Sequence, residues 1–289
     1  MVGLPNTGGW MIPRRGLLAG FAGLSGLSLA GCGSRHAPAA NYAAAPQEGG
    51  SSWTPKVEGL DAVIDISHNV RVSDFGQVRK ANILAVIHKT TEGGDWVDPS
   101  YAQRRVEAES NGLLWGAYHF GTRQYSGTRQ AHTFLAAAQP GPRTLLALDF
   151  EANDLNPNNT MTLQQAEEFV RVVQQATGRL PIVYTHAAWA NGGRSGRRGI
   201  RLREPVGPNS ILARCDLWLA DPRESPEVPY AWADRGWRLW QYVANESESD
   251  AAYGTASRAI PGVTHCDRNL FAGNAAELHR YWGIGRARA

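Results

Sequence analysis

Thr144-Leu145-Leu146-Ala147-Leu148-Asp149-Phe150-Glu151 reads as a buried strand that ends in two acids. Nearly every position before Asp149 is apolar, the pattern of a strand covered on both faces in a parallel sheet. Positions i and i+2 of a strand share a face, so Asp149 and Glu151 would stand side by side, their Cα atoms about 7 Å apart. Two carboxyls closing a buried strand are costly unless something uses them. Burial or like charge drives the pKa values of such a pair apart, which is how a proton donor and an ionised partner are made. The competing reading is a strand that has run out into a polar loop, continued by Asn153-Asp154. From this stretch alone both stand.

Outward from it, short apolar runs alternate with amphipathic segments from Gly59 onward. The runs are 62–66, 83–88, 114–120, 145–151, 181–185, 216–220, 238–243 and a weaker one near 263–267. Asp98-Pro99 supplies a cap and a proline for a helix that Asn111-Gly112 would close. Ala131, Phe134, Leu135 and Ala138 form a helical stripe that stops at Pro140. Thr162 with Gln165 makes a capping box before the stripe Leu163, Ala166, Phe169, Val170, Val173, and Gly178 ends it. Strand–helix alternation implies a parallel sheet, and about eight strands predict an α/β fold, a TIM-like (β/α) barrel. Residues 187–214 lack helical periodicity, so the outer ring of helices is expected to be incomplete and the barrel irregular.

A barrel of this type carries its site at the carboxyl ends of its strands. Those ends hold Asp65, Ser67 and His68; His88, Lys89 and Glu92; Tyr118, His119 and Phe120; and Asp149 with Glu151. Tyr184 and His186, Trp218 and Asp221, Trp240, Gln241 and Tyr242, and Asp267 with Asn269 follow. Acids among aromatic rings suit a sugar, whose C–H faces stack on rings while carboxyls do acid–base work. Taken singly, Phe120, Trp218 and Trp240 are more often core, and Lys89 with Glu92 reads equally as a surface ion pair. Strand-end histidines with Asp65 would also suit a metal-dependent barrel hydrolase. No His-x-His or His-Glu-x-x-His spacing supports that rival, and neither a metal nor a cofactor is expected.

The chain has 29 basic and 26 acidic residues; without Arg14 and Arg15 the balance is 27 to 26, which gives no support for a nucleic-acid partner. Arg14-Arg15 precede an apolar run of about 14 residues, too short to span a bilayer but right for an export signal. Leu29-Ala30-Gly31-Cys32 matches a bacterial lipobox, so residues 1–32 are expected to be a lipoprotein signal with Cys32 lipidated. Residues 33–57, rich in Ala, Pro, Gly and Ser, read as a flexible tether, and 58–289 as the folded domain. The expectation is an exported, membrane-anchored monomer. In a diderm cell it would face the periplasm from the outer membrane, because Gly33 and Ser34 lack an inner-membrane retention aspartate. Cys215 and Cys266 could pair or be buried thiols. The loop of Arg194, Arg197, Arg198, Arg201 and Arg203 could attract an anionic wall polymer or lipid headgroups; its default reading is a solvated insertion.

The ordered set Val63-Ile64-Asp65-Ile66-Ser67-His68, Ile87-His88-Lys89-Thr90-Thr91-Glu92-Gly93, Gly116-Ala117-Tyr118-His119-Phe120 and Leu148-Asp149-Phe150-Glu151 resembles glycoside hydrolase family 25, the Chalaropsis-type lysozymes. Tyr184-Thr185, Trp218-Leu219-Ala220, Trp240-Gln241-Tyr242 and Asp267-Arg268-Asn269-Leu270-Phe271 extend the likeness over the folded domain. The resemblance implies an N-acetylmuramidase that cleaves the β-1,4 bond between N-acetylmuramic acid and N-acetylglucosamine in peptidoglycan glycan strands. It makes Glu151 the general acid. Asp149 would steady an oxocarbenium-like state or position the substrate's own acetamido group. Asp65 and Asp267 would be further acids of the cleft, and Tyr118, Tyr184, Trp218 and Gln241 substrate contacts, with Phe120 beside them. His88, Thr90, His265-Cys266 and a long 192–208 loop depart from the family pattern without removing a carboxyl. A non-catalytic wall-binding lipoprotein is the remaining alternative.

Overall fold

Strands with apolar residues on both faces need cover on both, and a closed barrel wrapped by helices supplies it. The computed structural model describes residues 58–243, 260–264 and 266–283. The expected signal, Cys32, the tether and His265 lie outside the described residues. Eleven strands are described: β1 (Leu60–Ile66), β2 (Ala85–Glu92), β3 (Trp96–Val97), β4 (Leu114–Phe120), β5 (Thr144–Asp149), β6 (Ile182–Thr185), β7 (Arg194–Ser195), β8 (Ile200–Arg201), β9 (Leu217–Ala220), β10 (Leu239–Val243) and β11 (Asp267–Phe271). Eight of them close in the order β1-β2-β4-β5-β6-β9-β10-β11 and back to β1. β3 folds back on β2, and β7 with β8 makes a separate hairpin.

The barrel is not wholly parallel. β11 runs antiparallel to both neighbours, β10 and β1. The run expected near 263–267 is therefore displaced: the strand begins at Asp267, where it was expected to end. The reason is in its alternation. Phe271 belongs to the barrel interior and Leu270 to the layer outside it, so Asp267, Asn269 and Phe271 form one face of a strand whose inward residues are mostly polar. Such a strand is not an apolar run. Because the strand is reversed, its first residue sits at the same barrel end as the last residues of the parallel strands, and Asp267 pairs in register with Asp65.

Val63, Ile87, Leu145, Ile182 and Leu239 fill the lower interior, and Leu278 and Trp282 of α7 (Ala275–Gly283) join them. Trp282 donates its Nε1–H to the Trp115 carbonyl at 2.8 Å, fixing that helix as a plug. A buried aromatic of this size contributes about 2–3 kcal/mol. Outside the barrel lie α1 (Phe75–Lys80), α2 (Tyr101–Ser110), α3 (Gly127–Ala138) and α4 (Leu163–Thr177). The capping box of Thr162 and Gln165 forms as expected, and Gly178 closes α4 at φ +70°. α2 starts later than Asp98-Pro99 suggested, because Asp98 accepts from the Ser100 backbone and hydroxyl and holds a turn before the helix. α3 and α4 approach closely at Gly127, where a Cβ would fall 1.9 Å from the Gln165 carbonyl oxygen. Between β6 and β9 there are only α5 (Ala187–Ala190), the β7–β8 hairpin and α6 (Ile211–Arg214), single turns where the incomplete ring was expected. Cys215 and Cys266 are both buried and not joined in a disulfide, and burial pushes the Cys266 thiol up to about 12.

Candidate active site

Each acid reaches the barrel mouth through its strand. Asp65 is the penultimate residue of β1, Asp149 the last of β5, and Asp267 the first of the reversed β11. The strand ends at Asp149, earlier than the sequence suggested, and Glu151 stands in a bend two residues on. Pairing nevertheless persists past the strand end: Phe150 donates its backbone N–H to the Tyr184 carbonyl at 2.9 Å, and Gly121 donates to Asp149 at 3.1 Å. Parallel register places Phe120 beside Asp149, Asp149 beside Tyr184, and Tyr184 beside Trp218. On the other side Gln241 pairs with Asn269.

The two halves meet in one hydrogen-bond network. Gln241 donates from Nε2 to both Asp65 carboxyl oxygens at 3.1 Å and reaches Asp267 Oδ2 at 3.3 Å. Its Oε1 accepts from the Tyr184 hydroxyl at 2.8 Å. Asn269 donates from Nδ2 to Asp65 Oδ2 at 2.7 Å, and its own carbonyl accepts the Trp218 indole N–H at 2.6 Å. Buried polar atoms need such partners, and donors to carboxylates are the stronger kind. The Tyr184 phenol is pushed well above its ordinary pKa, first by burial and then by the charges of Glu151, Asp149, Asp65 and Asp267. One side chain therefore senses all four acids that the sequence singled out.

The residues expected as substrate contacts divide. Phe120 and Tyr184 are half-buried and reach the mouth. Trp218 is 2 % exposed and Gln241 5 %, and both use their donors inside the protein; Trp218 supports the site from beneath, while Gln241 also lines the cavity at the mouth. Tyr118, also buried, meets Trp218 edge-on with ring centroids 6.3 Å apart. Asn269 was visible only as a strand-end residue; the signal that could have found it is the alternation Asp267-x-Asn269. Lys89 pairs with Glu92 at 2.7 Å but is mostly buried, and its Nζ also lies 5.0 Å from the Phe120 ring, so the pair is more than a surface contact. A cavity of about 480 Å³ opens over Tyr184 and Gln241, walled by His186, Asp221 and Arg223.

The strand-end histidines scatter. His88 stacks on Trp115, donates from Nδ1 to the Lys89 carbonyl and accepts at Nε2 from Arg104, with the Ser100 hydroxyl also within reach of Nε2, on the outer side of β2. His119 lies between Thr91 and Gln130 against Phe169. His68 pairs with Asp98 and His186 with Ser195. Among the described residues, no three His, Cys, Asp or Glu side chains are disposed to hold a metal ion.

Comparison with known proteins bears on this geometry directly. The sequence pattern of glycosyl hydrolases family 25 matches residues 64–251. Lysozyme M1 of Streptomyces globisporus is 28% identical over 241 residues, covering 79% of this chain and 72% of that protein. The crystal structure of the bacterial lysozyme from Streptomyces coelicolor superposes with a TM-score of 0.62 at 27% identity, over 78% of this chain and 97% of that one. A muramidase structure from Acremonium alcalophilum gives a TM-score of 0.59 at 26% identity, over 76% and 97%. The match begins at β1, beside Asp65, and takes in the strands that carry Asp149, Glu151, Tyr184 and Gln241 into one mouth. With that span the chain belongs to glycosyl hydrolases family 25.

Proposed function

We propose that the mouth binds a peptidoglycan glycan strand and hydrolyses its β-1,4 bond between N-acetylmuramic acid and N-acetylglucosamine. The observation that carries the reading is the convergence of Asp65, Asp267 and Tyr184 on Gln241, with Asp149 in register beside Tyr184 and Glu151 two residues on. Crowded acids at the edge of a low-dielectric barrel do not all ionise together, so one retains a proton to donate. Glu151 takes the donor role because it is the most accessible of the four and can reach a bound sugar, whereas Asp65, Asp149 and Asp267 are under a tenth exposed. It protonates the glycosidic oxygen as the bond to the anomeric carbon breaks. Asp149 stabilises the positive charge that develops on the sugar. A water molecule completes the hydrolysis, its hydroxyl joining the sugar and its proton restoring the acid. Asp65 and Asp267, held by Gln241 and Asn269, keep the field of the site in place.

The decisive test is Glu151→Gln, assayed by release of reducing ends from purified peptidoglycan. General acid catalysis is worth about 10²–10⁴-fold, so the variant should fall by at least the lower figure. Equal, measurable release by variant and wild type would overturn Glu151 as the acid, and no release by wild type would leave a wall-binding protein in place of a hydrolase. Lipidation at Cys32 is part of the same proposal, supported by the lipobox and the arginine pair before it. Cys32→Ser should move the protein from the membrane to the soluble fraction; retention in the membrane overturns the anchor.

A further inference from the structure

The hairpin of β7 and β8 occupies the interval where a regular barrel would have a helix, and it stands at the mouth. Two contacts hold it there. His186, two residues beyond Tyr184, hydrogen-bonds through Nε2 to the Ser195 hydroxyl at 2.8 Å. Asp154, three residues beyond Glu151, accepts the Arg197 backbone N–H at 3.0 Å. Gly196 crosses that carboxyl at φ +66°, with no room for a Cβ. The tip is thus clamped to the loops that follow both strands of the site. From Arg194 to Arg203 there are five arginines and no acid, all of them exposed. None of Arg194, Arg198, Arg201 and Arg203 is ion-paired among the described residues. Arg201 and Arg203, with Glu204 next to them, line a cavity of about 320 Å³ shared with Arg123 and Thr160 from the loops after β4 and β5 and with Gln164 of α4.

A solvated insertion needs neither two clamps to the catalytic loops nor a third arginine arriving from another loop. We propose that this hairpin is an anion-reading rim of the cleft, which binds the carboxylates of the acidic peptides carried on the glycan strand. The inference rests on the muramidase reading. The four acids recognise and cut the sugar chain, and the arginines engage its peptide substituents. Guanidinium groups suit carboxylates because their paired donors match the two oxygens. The position of the hairpin favours substrate carboxylates over lipid headgroups, since it is tied three residues from Glu151 at the mouth itself.

The test uses the full chain and a triple variant, Arg198→Gln with Arg201→Gln and Arg203→Gln. Two substrates are compared: peptidoglycan stripped of attached polymers, and the same material with its carboxyls converted to amides. At low salt the variant should show a KM about tenfold above wild type on the unmodified substrate, the scale expected of three rim charges. The gap should close at about 0.5 M salt, where screening removes exposed-charge contacts. It should also close on the amidated substrate. The matching triple Arg→Lys variant, which keeps the charge, should recover most of the KM. Equal KM values on unmodified peptidoglycan, or a gap that survives amidation, overturn the proposal. A gap seen only on unstripped walls that retain phosphate polymers, assayed as a further control, overturns the carboxylate assignment. Wild type that releases no reducing ends from either substrate fails the muramidase reading instead, and is distinguished by that.

Discussion

Gln241→Met separates a positioning amide from a substrate contact. Methionine keeps the length and bulk of glutamine but removes one donor group and one acceptor. The lost donor serves Asp65 at 3.1 Å and Asp267 at 3.3 Å, and the lost acceptor serves the Tyr184 hydroxyl at 2.8 Å. Hydrogen bonds to charged groups contribute about 1.5–3 kcal/mol. Both donor distances exceed the 2.7–2.9 Å of strong charge-assisted bonds, so about 1.5 kcal/mol each is appropriate. The phenol contributes about 1 kcal/mol more, for a gross loss of about 4 kcal/mol. Burying an apolar side chain in place of an amide returns about 1 kcal/mol, leaving a net destabilisation of about 3 kcal/mol. That is a large share of the roughly 5–15 kcal/mol that holds a domain folded. Urea unfolding followed by tryptophan fluorescence reads it as a lower midpoint with unchanged slope. Because Gln241 holds Asp65 and Asp267 in place, kcat on peptidoglycan should fall by about tenfold or more through misplacement of the acids, while KM holds. A loss of stability below about 1 kcal/mol would refute the network as a structural hub. A rise in KM with kcat intact would make Gln241 a substrate contact after all.

Burial draws His88 down to about 4 and His119 to about 3 from the ordinary 6.5, so both are neutral in the folded protein at pH 7. Their contribution is complete above about 6.5 and is lost as the pH falls toward the folded values, since only the unfolded chain then takes up protons. At about pH 5 each costs about 2 kcal/mol, so His119→Gln should lose about that much less than wild type between pH 7 and 5 in urea titrations. Gly127→Ala drives a Cβ to 1.9 Å from the Gln165 carbonyl and should cost about 1–3 kcal/mol by parting α3 from α4, read as a lower Tm. Asp149→Asn should leave the melting temperature within a few degrees while cutting reducing-end release by roughly 10²-fold or more. EDTA should leave wild-type rates unchanged; loss of activity that a divalent ion restores would favour a metal-dependent barrel hydrolase.

Much of the barrel was legible because its parallel strands are apolar on both faces and its helices carry ordinary stop and start signals. Thr162, Gln165 and Gly178 marked α4 from local chemistry alone, and local chemistry decided it. β11 was misplaced for the opposite reason. Its inward residues Asp267 and Asn269 are polar, and only contacts with Asp65 and Trp218, distant in sequence, reveal that they face a barrel. The acids could be read as candidates from their strand-end positions. The supporting roles of Gln241 and Trp218 could not, since an aromatic or an amide on a strand end has the same sequence signature above the site as beneath it. The β7–β8 hairpin was invisible as structure: two-residue strands held by Asp154 and His186 leave no periodicity.

The reversal of β11 is what makes four acids possible at one end. Seven parallel strands bring their last residues to the mouth, and a parallel β11 would have carried Asp267, its first residue, to the opposite end among Leu278 and Trp282. Running backwards, the strand instead sets Asp267 in register with Asp65. Two carboxyls so placed would repel each other unless a donor stood between them, and Gln241 of the neighbouring β10 is that donor. The acids are thereby unequal. Asp65 and Asp267 are buried and tied to amides that fix their positions. Glu151 is half-exposed at the end of a bend, where a proton can be delivered to a bound sugar. A proton donor must reach its substrate, whereas groups that shape the field act through space and can stay buried. Strand direction thus sorts the carboxyls into those that hold the field and the one that moves the proton.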